Sequence, residues 1–157
     1  AIAPAARIDC LDLSPGMLAR ARRRVATAGN RITFRPGDIL TEPLPARNYD
    51  AVVTCFFLDC FNDCQAAVVV GRIAASLRPG ARWLWADFTL PPRGPARWRA
   101  RLWLAVLYGF FRWQTGISAR ALPDSEALIA GAGFHCVAQH TRQWGLLRTA
   151  VYRSTAA

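Results

Sequence analysis

The chain has 157 residues, 53% of them hydrophobic, and a formal charge of +10. That length is enough for one domain with a real core, and that apolar content excludes a disordered chain. All twenty basic residues are arginine, which excludes chemistry that needs a lysine: no P-loop, no Schiff base, no Tyr-x-x-x-Lys dehydrogenase pair.

The arginines run from Arg7 to Arg153 and are denser only at 20–24 and 93–101. A dedicated nucleic-acid binder clusters its charge on one face, so this spread argues against a specific nucleic-acid partner. The five cysteines are odd in number and contain no Cys-x-x-Cys pair. Cys10, Cys55 and Cys136 fall in apolar, strand-like segments and are expected as buried thiols. Cys60 and Cys64 are spaced for one helix face, but His135 and His140 give no zinc-ligand spacing, so no metal is expected. Free thiols fit a reducing cytoplasm. The opening residues AIAPAAR lack the apolar core of a signal peptide. The longest apolar run, Leu102 to Phe111, is too short to span a bilayer.

In chain order, Arg7 to Leu18 (RIDCLDLSPGML) reads as a strand, a carboxylate at its end, and a helix that starts at once. Ser14 supplies an N-cap, and Pro15 sits in the first turn, where its missing N–H costs nothing. Asp12 therefore falls at the carboxyl end of a strand beside a helix N-terminus. Open α/β sheets hold a nucleotide ribose at such a place; a capped turn with a solvated Asp12 is the alternative. The helix is expected to reach about Ala28, with Met17, Leu18, Ala21, Val25 and Ala26 as its buried stripe and Gly29 as its C-cap.

Ile32 to Phe34 reads as a short strand, followed by Pro36-Gly37-Asp38-Ile39. Tyr49 to Cys55 (YDAVVTC) has the β-branched character of a central parallel strand. It leads into Phe56-Phe57-Leu58-Asp59-Cys60-Phe61, a loop unusually apolar for a surface. Phe56 and Phe57 wall a pocket or belong to the core. A helix from about Asn62 to Leu77 is expected to turn Val68, Val69, Ile73 and Leu77 inward. Arg78-Pro79-Gly80 stops it, and Trp83 to Phe88 (WLWADF) is the next strand.

Pro91-Pro92-Arg93-Gly94-Pro95 breaks the chain. Ala96 to Trp113 then reads as one helix, apolar almost all round, which serves as a lid, a core helix or an interfacial membrane helix. Residues 96–122 thus form an insertion between strands. Pro123 opens a helix over Asp124 to Ala130, and Gly131-Ala132-Gly133 ends it. Phe134 to Trp144 and Leu146 to Tyr152 read as two strands joined at Gly145.

Three of these stretches, in this order, resemble the class I S-adenosylmethionine-dependent methyltransferases: the strand and acidic loop at Asp12-Leu13-Ser14 with Met17-Leu18, the strand followed by Gly37-Asp38, and Leu77-Arg78-Pro79-Gly80 leading into a strand that ends Asp87-Phe88. The closing Ala132-Gly133-Phe134 and hairpin match the same family. The resemblance implies an α/β, Rossmann-like sheet with helices on both faces and a C-terminal antiparallel hairpin, in the family's order 3-2-1-4-5-7-6. It implies S-adenosyl-L-methionine as cofactor, held by Asp12, Leu13, Met17, Asp38, Ile39, Cys55 and Phe56. Asp12 would take the ribose, Asp38 the adenine amino group and the next backbone N–H a ring nitrogen. Phe57, Trp103, Tyr108 and Phe111 would line the site of a small, rather apolar acceptor of quinone or lipid-like type.

The chain departs from the family in one respect. The glycine motif that ends the family's first strand is absent: the one Gly-x-Gly is Gly131-Ala132-Gly133. The expectation is an N-terminally incomplete methyltransferase of a single domain. Strand 7–12 then either pairs directly with strand 50–55 or leaves a fissure. Methyl transfer from an activated donor needs no obligatory base. His140, Asp59 and Tyr108 are candidates, with His140 more simply a structural strand residue. A non-catalytic Rossmann-like module, an arginine-rich nucleic-acid binder and a nucleotide-dependent oxidoreductase are the competing readings.

Overall fold

A computed structural model describes residues 6–25, 31–89, 94, 97–99, 102 and 123–155. The chain divides into two compact units, Ala1–Pro43 and Leu44–Ala157.

In the first unit, β1 (Ile8–Asp12) and β2 (Ile32–Pro36) form a parallel pair in which Ile8 faces Ile32 and Asp12 faces Pro36. Parallel strands need a crossover, and α1 (Pro15–Arg24) supplies it. Ser14 Oγ accepts from the Met17 N–H at 3.3 Å, and Pro15 stands in the first turn, as the sequence pattern requires. The helix is shorter than expected, because Val25 leaves helical geometry and caps it through its N–H to the Ala21 carbonyl. Ala26 and Gly29 lie outside the described residues. The buried stripe is also narrower: Leu18 is buried, whereas Met17 is 54% exposed. The Arg22 guanidinium lies 5.2 Å from the centre of the Phe34 ring, so that arginine covers an aromatic face of β2.

The second unit is built on a four-stranded sheet in the order β3-β4-β6-β5. β3 (Tyr49–Cys55) and β4 (Leu77–Phe88) are parallel and are joined through α2 (Asp63–Ser76). β6 (Leu147–Ser154) runs antiparallel to both β4 and β5 (Phe134–Arg142), and α3 (Ser125–Gly131) precedes β5. The two sheets reproduce the segments 3-2 and 4-5-7-6 of the expected order. β1 and β3 belong to different sheets, so the direct pairing of strand 7–12 with strand 50–55 does not form.

The core lies on one face of the larger sheet. Ala81, Trp83, Trp85 and Asp87 alternate inward along β4, with Thr54 from β3 and Ala150 and Tyr152 from β6. Trp83 packs edge-on to Phe134 at 5.6 Å. Ala66, Val69, Val70, Ile73 and Ser76 of α2 close the face. Those positions recur three and four apart, one turn after another. Val68 stands about 100° away from Val69 around the helix and is 50% exposed, contrary to expectation. Each fully buried large side chain, such as Trp83, Leu58 or Ile129, contributes roughly 1.5–3 kcal/mol.

α2 begins with a capping box in which Asn62 accepts from the Gln65 N–H at 2.9 Å and the Gln65 side chain accepts from the Asn62 N–H at 3.3 Å. At its other end Leu77 is already extended, so helix passes into β4 without a loop, and Gly80 (φ 73°) takes the left-handed step there. The strand is therefore longer than the expected Trp83–Phe88. At the hairpin between β5 and β6, residues 143–145 all have positive φ.

Two of the three cysteines expected to be buried are not. Cys55 follows buried Thr54 and so points to the opposite face of β3, and Cys136 lies on the exposed edge strand β5; Cys10 is half-buried. Cys60 falls in a turn ahead of α2, so it shares no helix face with Cys64. Among the described residues no group of three metal ligands occurs, and no helix is long and apolar enough to cross a membrane.

Candidate functional site

The first unit brings two acidic residues to one edge of its sheet. Asp12 ends β1, and Asp38 follows two residues after the end of β2, whose Pro36 is in register with Asp12. The Gly37 N–H donates to the Asp12 carbonyl at 3.1 Å and ties the two strand ends together. A Cβ at Gly37 would meet the Glu42 side chain at 3.0 Å, so the turn takes glycine for lack of space. Glu42 is fixed there by its ion pair with Arg35 at 2.5 Å.

Each carboxylate has one oxygen engaged locally. Asp12 Oδ1 accepts from the Ser14 N–H at 2.7 Å, and Asp38 Oδ1 accepts from the Leu40 N–H at 2.9 Å. These short-range bonds lock both side chains in the turns that carry them and leave Oδ2 of each as an acceptor. Leu13 and Met17 stand exposed beside Asp12. Half-buried acceptors at strand carboxyl ends, next to exposed apolar side chains, match what a nucleoside requires: hydroxyl and amino donors around a flat apolar ring.

In the second unit, the carboxyl ends of β3 and β4 carry a different constellation. Phe56 adopts φ 51°, a left-handed conformation that costs a bulky side chain roughly 1–2 kcal/mol. Its N–H still donates to the Ala86 carbonyl at 2.8 Å, and its ring, 48% exposed, lies 5.0 Å from that of Phe88. Phe57 is half-buried and meets Phe61 edge-on at 5.2 Å. So Phe56 takes the outer position and Phe57 the inner one. Between Phe57 and Phe61 the chain makes one tight turn, Leu58–Cys60, anchored by fully buried Leu58.

That turn buries Asp59 (7% exposed) in hydrogen-bonding reach of Asp87 (2% exposed) from the end of β4. The Phe88 N–H donates to Asp87 Oδ1 at 2.9 Å, whereas Asp87 Oδ2 is buried with no donor from the described residues. Burial, reinforced by the charge of Asp59, pushes the Asp87 carboxyl up to about 7, against the pull of nearby backbone N–H groups of Phe88, Asp59 and Leu58. Burial raises Asp59 as well, partly offset by the Cys60 thiol, its own backbone N–H and the Asp87 carboxyl. Cys60 Sγ lies 3.6 Å from Asp59 Oδ1, and burial and that neighbour push the thiol up to about 12. Burial and their mutual charge thus favour the protonated form of both carboxyls over that of a solvated acid.

Among the expected site residues, Asp12, Leu13, Met17, Asp38 and Ile39 lie in the first unit, and Cys55, Phe56 and Phe57 in the second. Trp103, Tyr108 and Phe111 fall outside the described residues. Of the candidate bases, His140 is exposed on the edge strand β5, Asp59 is buried, and Tyr108 lies outside the described residues. Asp87 was missed as the partner of Asp59. The available signal was the position of both acids in apolar contexts, FFLDCF and WADF, immediately after parallel strands.

Residues 1–80 match a family model described as a methyltransferase domain. Demethylmenaquinone methyltransferase of Thermus thermophilus is 33% identical over 145 residues, which are 84% of this chain and 65% of that protein. The ubiquinone/menaquinone biosynthesis C-methyltransferase of Syntrophotalea carbinolica is 31% identical over 134 residues, 83% of this chain and 55% of that protein. The chain thus spans less than two thirds of the length of these relatives. The solved structure of a mitomycin 7-O-methyltransferase superposes with a TM-score of 0.71 at 21% identity, covering 97% of this chain and 43% of that one; it shares the fold. With the family model covering half the sequence and both sheet segments in the family's order, the chain belongs to the class I S-adenosylmethionine-dependent methyltransferases.

Proposed function

We propose that the chain binds S-adenosyl-L-methionine and takes part in methyl transfer to a small, largely apolar aromatic acceptor of quinone type. The observation that carries this reading is the pair of anchored carboxylates, Asp12 and Asp38, at adjacent strand ends tied by Gly37. Asp12 Oδ2 accepts the ribose hydroxyls and the Asp38 carboxylate accepts from the adenine amino group. The Ile39 N–H serves a ring nitrogen, and Leu13 and Met17 cover the ring. Cys55 and Phe56, at the end of β3, are assigned to cofactor binding as well, and Phe57, Trp103, Tyr108 and Phe111 to binding of the acceptor. The cofactor supplies an activated sulfonium methyl; the residues of this chain bind, orient and exclude water.

Two relatives named for menaquinone or ubiquinone biosynthesis support the acceptor class. The aromatic character of the loop 56–61 supports it independently. The acceptor is taken up from solution or from a membrane surface, with no nucleic acid involved.

Calorimetric titration of S-adenosylhomocysteine into the 157-residue chain tests the reading, repeated with Asp12→Ala. A charge-assisted hydrogen bond contributes roughly 1.5–3 kcal/mol, so the variant should bind about 10- to 100-fold more weakly. Absence of heat in a chain shown by circular dichroism to be folded overturns the reading in favour of a non-catalytic Rossmann-like module.

A further inference from the structure

We propose that the tip of the β5–β6 hairpin and the helical turn beside it dock the protein on an anionic lipid bilayer. The surface is made by Arg142 and Trp144 of the hairpin and by Arg97, Trp98, Arg99 and Leu102 of the turn. The inference goes beyond the methyl-transfer reading and does not depend on it.

Three observations carry it. Large apolar side chains stand in solvent here: Trp144 is 78% exposed, Trp98 79% and Leu102 68%. Single exposed hydrophobes are ordinary, but these lie on two segments that meet, since the Arg99 guanidinium is 5.4 Å from the centre of the Trp144 ring. Two tryptophans and a leucine gathered at one place mark an interaction surface.

The exposure of Trp144 is also built into the backbone. Gln143 and Trp144 take left-handed φ of 51° and 61°, which bulky side chains adopt only where their surroundings impose it. The Leu146 N–H closes the turn on the Gln143 carbonyl at 3.2 Å. Thr89 then clamps the tip: its N–H donates to the Leu146 carbonyl and its Oγ1 to the Gly145 carbonyl, both at 2.9 Å. A fixed turn, not a loose end, presents the indole.

The third observation is charge. Arg97, Arg99 and Arg142 are exposed. From Phe88 to Ala157 the sequence holds nine arginines and two acids, Asp124 and Glu126. Both acids are engaged at α3, where Asp124 accepts from the Ala127 N–H at 3.1 Å and Glu126 pairs with Arg148 at 3.1 Å. Neither segment of the surface contains an acid. Tryptophan beside arginine suits a bilayer interface, where the indole rests at head-group level and the guanidinium meets lipid phosphate. A polynucleotide instead requires a groove that tracks its backbone, whereas these rings stand on the end of a hairpin, next to an aliphatic side chain that stacks on no base.

Co-sedimentation of the 157-residue chain with vesicles tests the proposal. One set is phosphatidylcholine alone and the other contains about one-third phosphatidylglycerol. Binding to the anionic set is expected, about 10- to 100-fold weaker to the neutral set, and reduced by added salt. Arg97→Gln and Arg99→Gln should each weaken it roughly fivefold. Trp98→Ala and Trp144→Asn, the latter suited to left-handed φ, should weaken it several-fold while leaving the urea midpoint at the wild-type value. Failure to sediment with anionic vesicles overturns the proposal. So does binding that survives both tryptophan substitutions, which would be the general attraction of a chain of charge +10. Tighter binding to oligothymidylate than to anionic vesicles at the same salt overturns it in favour of nucleic acid. Titration with S-adenosylhomocysteine is independent of each of these outcomes, so the methyl-transfer reading stands or falls separately.

Discussion

Trp83 Nε1 donates to Thr54 Oγ1 at 2.9 Å between β4 and β3, and both residues are buried. The bond satisfies the one polar atom of the largest fully buried side chain in the sheet, directly below the strand ends that carry the acidic pair. Thr54→Val keeps the shape and removes the acceptor, leaving the indole N–H orphaned. The cost is expected at roughly 1–3 kcal/mol, read as a lower urea midpoint at unchanged m-value. A midpoint equal to wild type would mean that the indole finds another acceptor.

The elements of the sheet were legible because the two periodicities are clear in the sequence. YDAVVTC is a strand from Tyr49 to Cys55, and the helix expected from about Asn62 runs from Asp63 to Ser76. What was lost is what depends on a neighbour. Met17 and Val68 are apolar residues in helices, and only the width of the surface each helix rests on decides that they stay outside. Cys55 and Cys136 needed the phase of alternation and the identity of the edge strand, both set by pairing. The turns that carry Asp12 and Asp38 were legible because each is of local design, bonded within two residues. The Asp59–Asp87 pair joins residues 28 apart in sequence, across a helix and a strand, and no local pattern connects them.

Asn62 offers a test of how much the local signal contributes. Its side chain satisfies the Gln65 N–H while Gln65 returns the bond, so two otherwise orphaned donors at the start of α2 are covered. Asn62→Ala removes one bond and loosens the other. The expected loss is about 1 kcal/mol, visible as a reduced thermal midpoint. Asn62→Ser or Asn62→Asp should recover most of it, because either side chain can accept the same N–H.

Leu58 is the apolar anchor of the loop that carries Asp59, with no exposed surface. Truncation to Ala leaves a cavity under the turn and is expected to cost roughly 2–5 kcal/mol. Hydrogen exchange should report the effect first in residues 56–61, which open locally at lower free energy than the strands. Uniform loss of protection across the sheet, with no priority for the loop, would mean that the turn and the core unfold as one.

The acidic pair makes stability depend on pH with a definite sign. The Asp87 carboxyl ionises near 3.8 in the unfolded chain and at about 7 in the folded one. Between those limits the folded state keeps a proton that the unfolded state has lost, so stability falls as pH rises through the window. Below about pH 4 both states are protonated and the pair costs nothing; above about pH 7 the full penalty of burying its charge is present. Three pH units correspond to on the order of 4 kcal/mol, and Asp59, raised in the same direction, adds to the slope. Asp87→Asn keeps the shape and hydrogen-bonding capacity without a titratable proton. Urea unfolding at about pH 4 should leave the variant near wild type. At about pH 8 it should be the more stable of the two, with a visibly flatter profile between. Parallel profiles for the two proteins would show that burial does not hold the Asp87 carboxyl above its ordinary range.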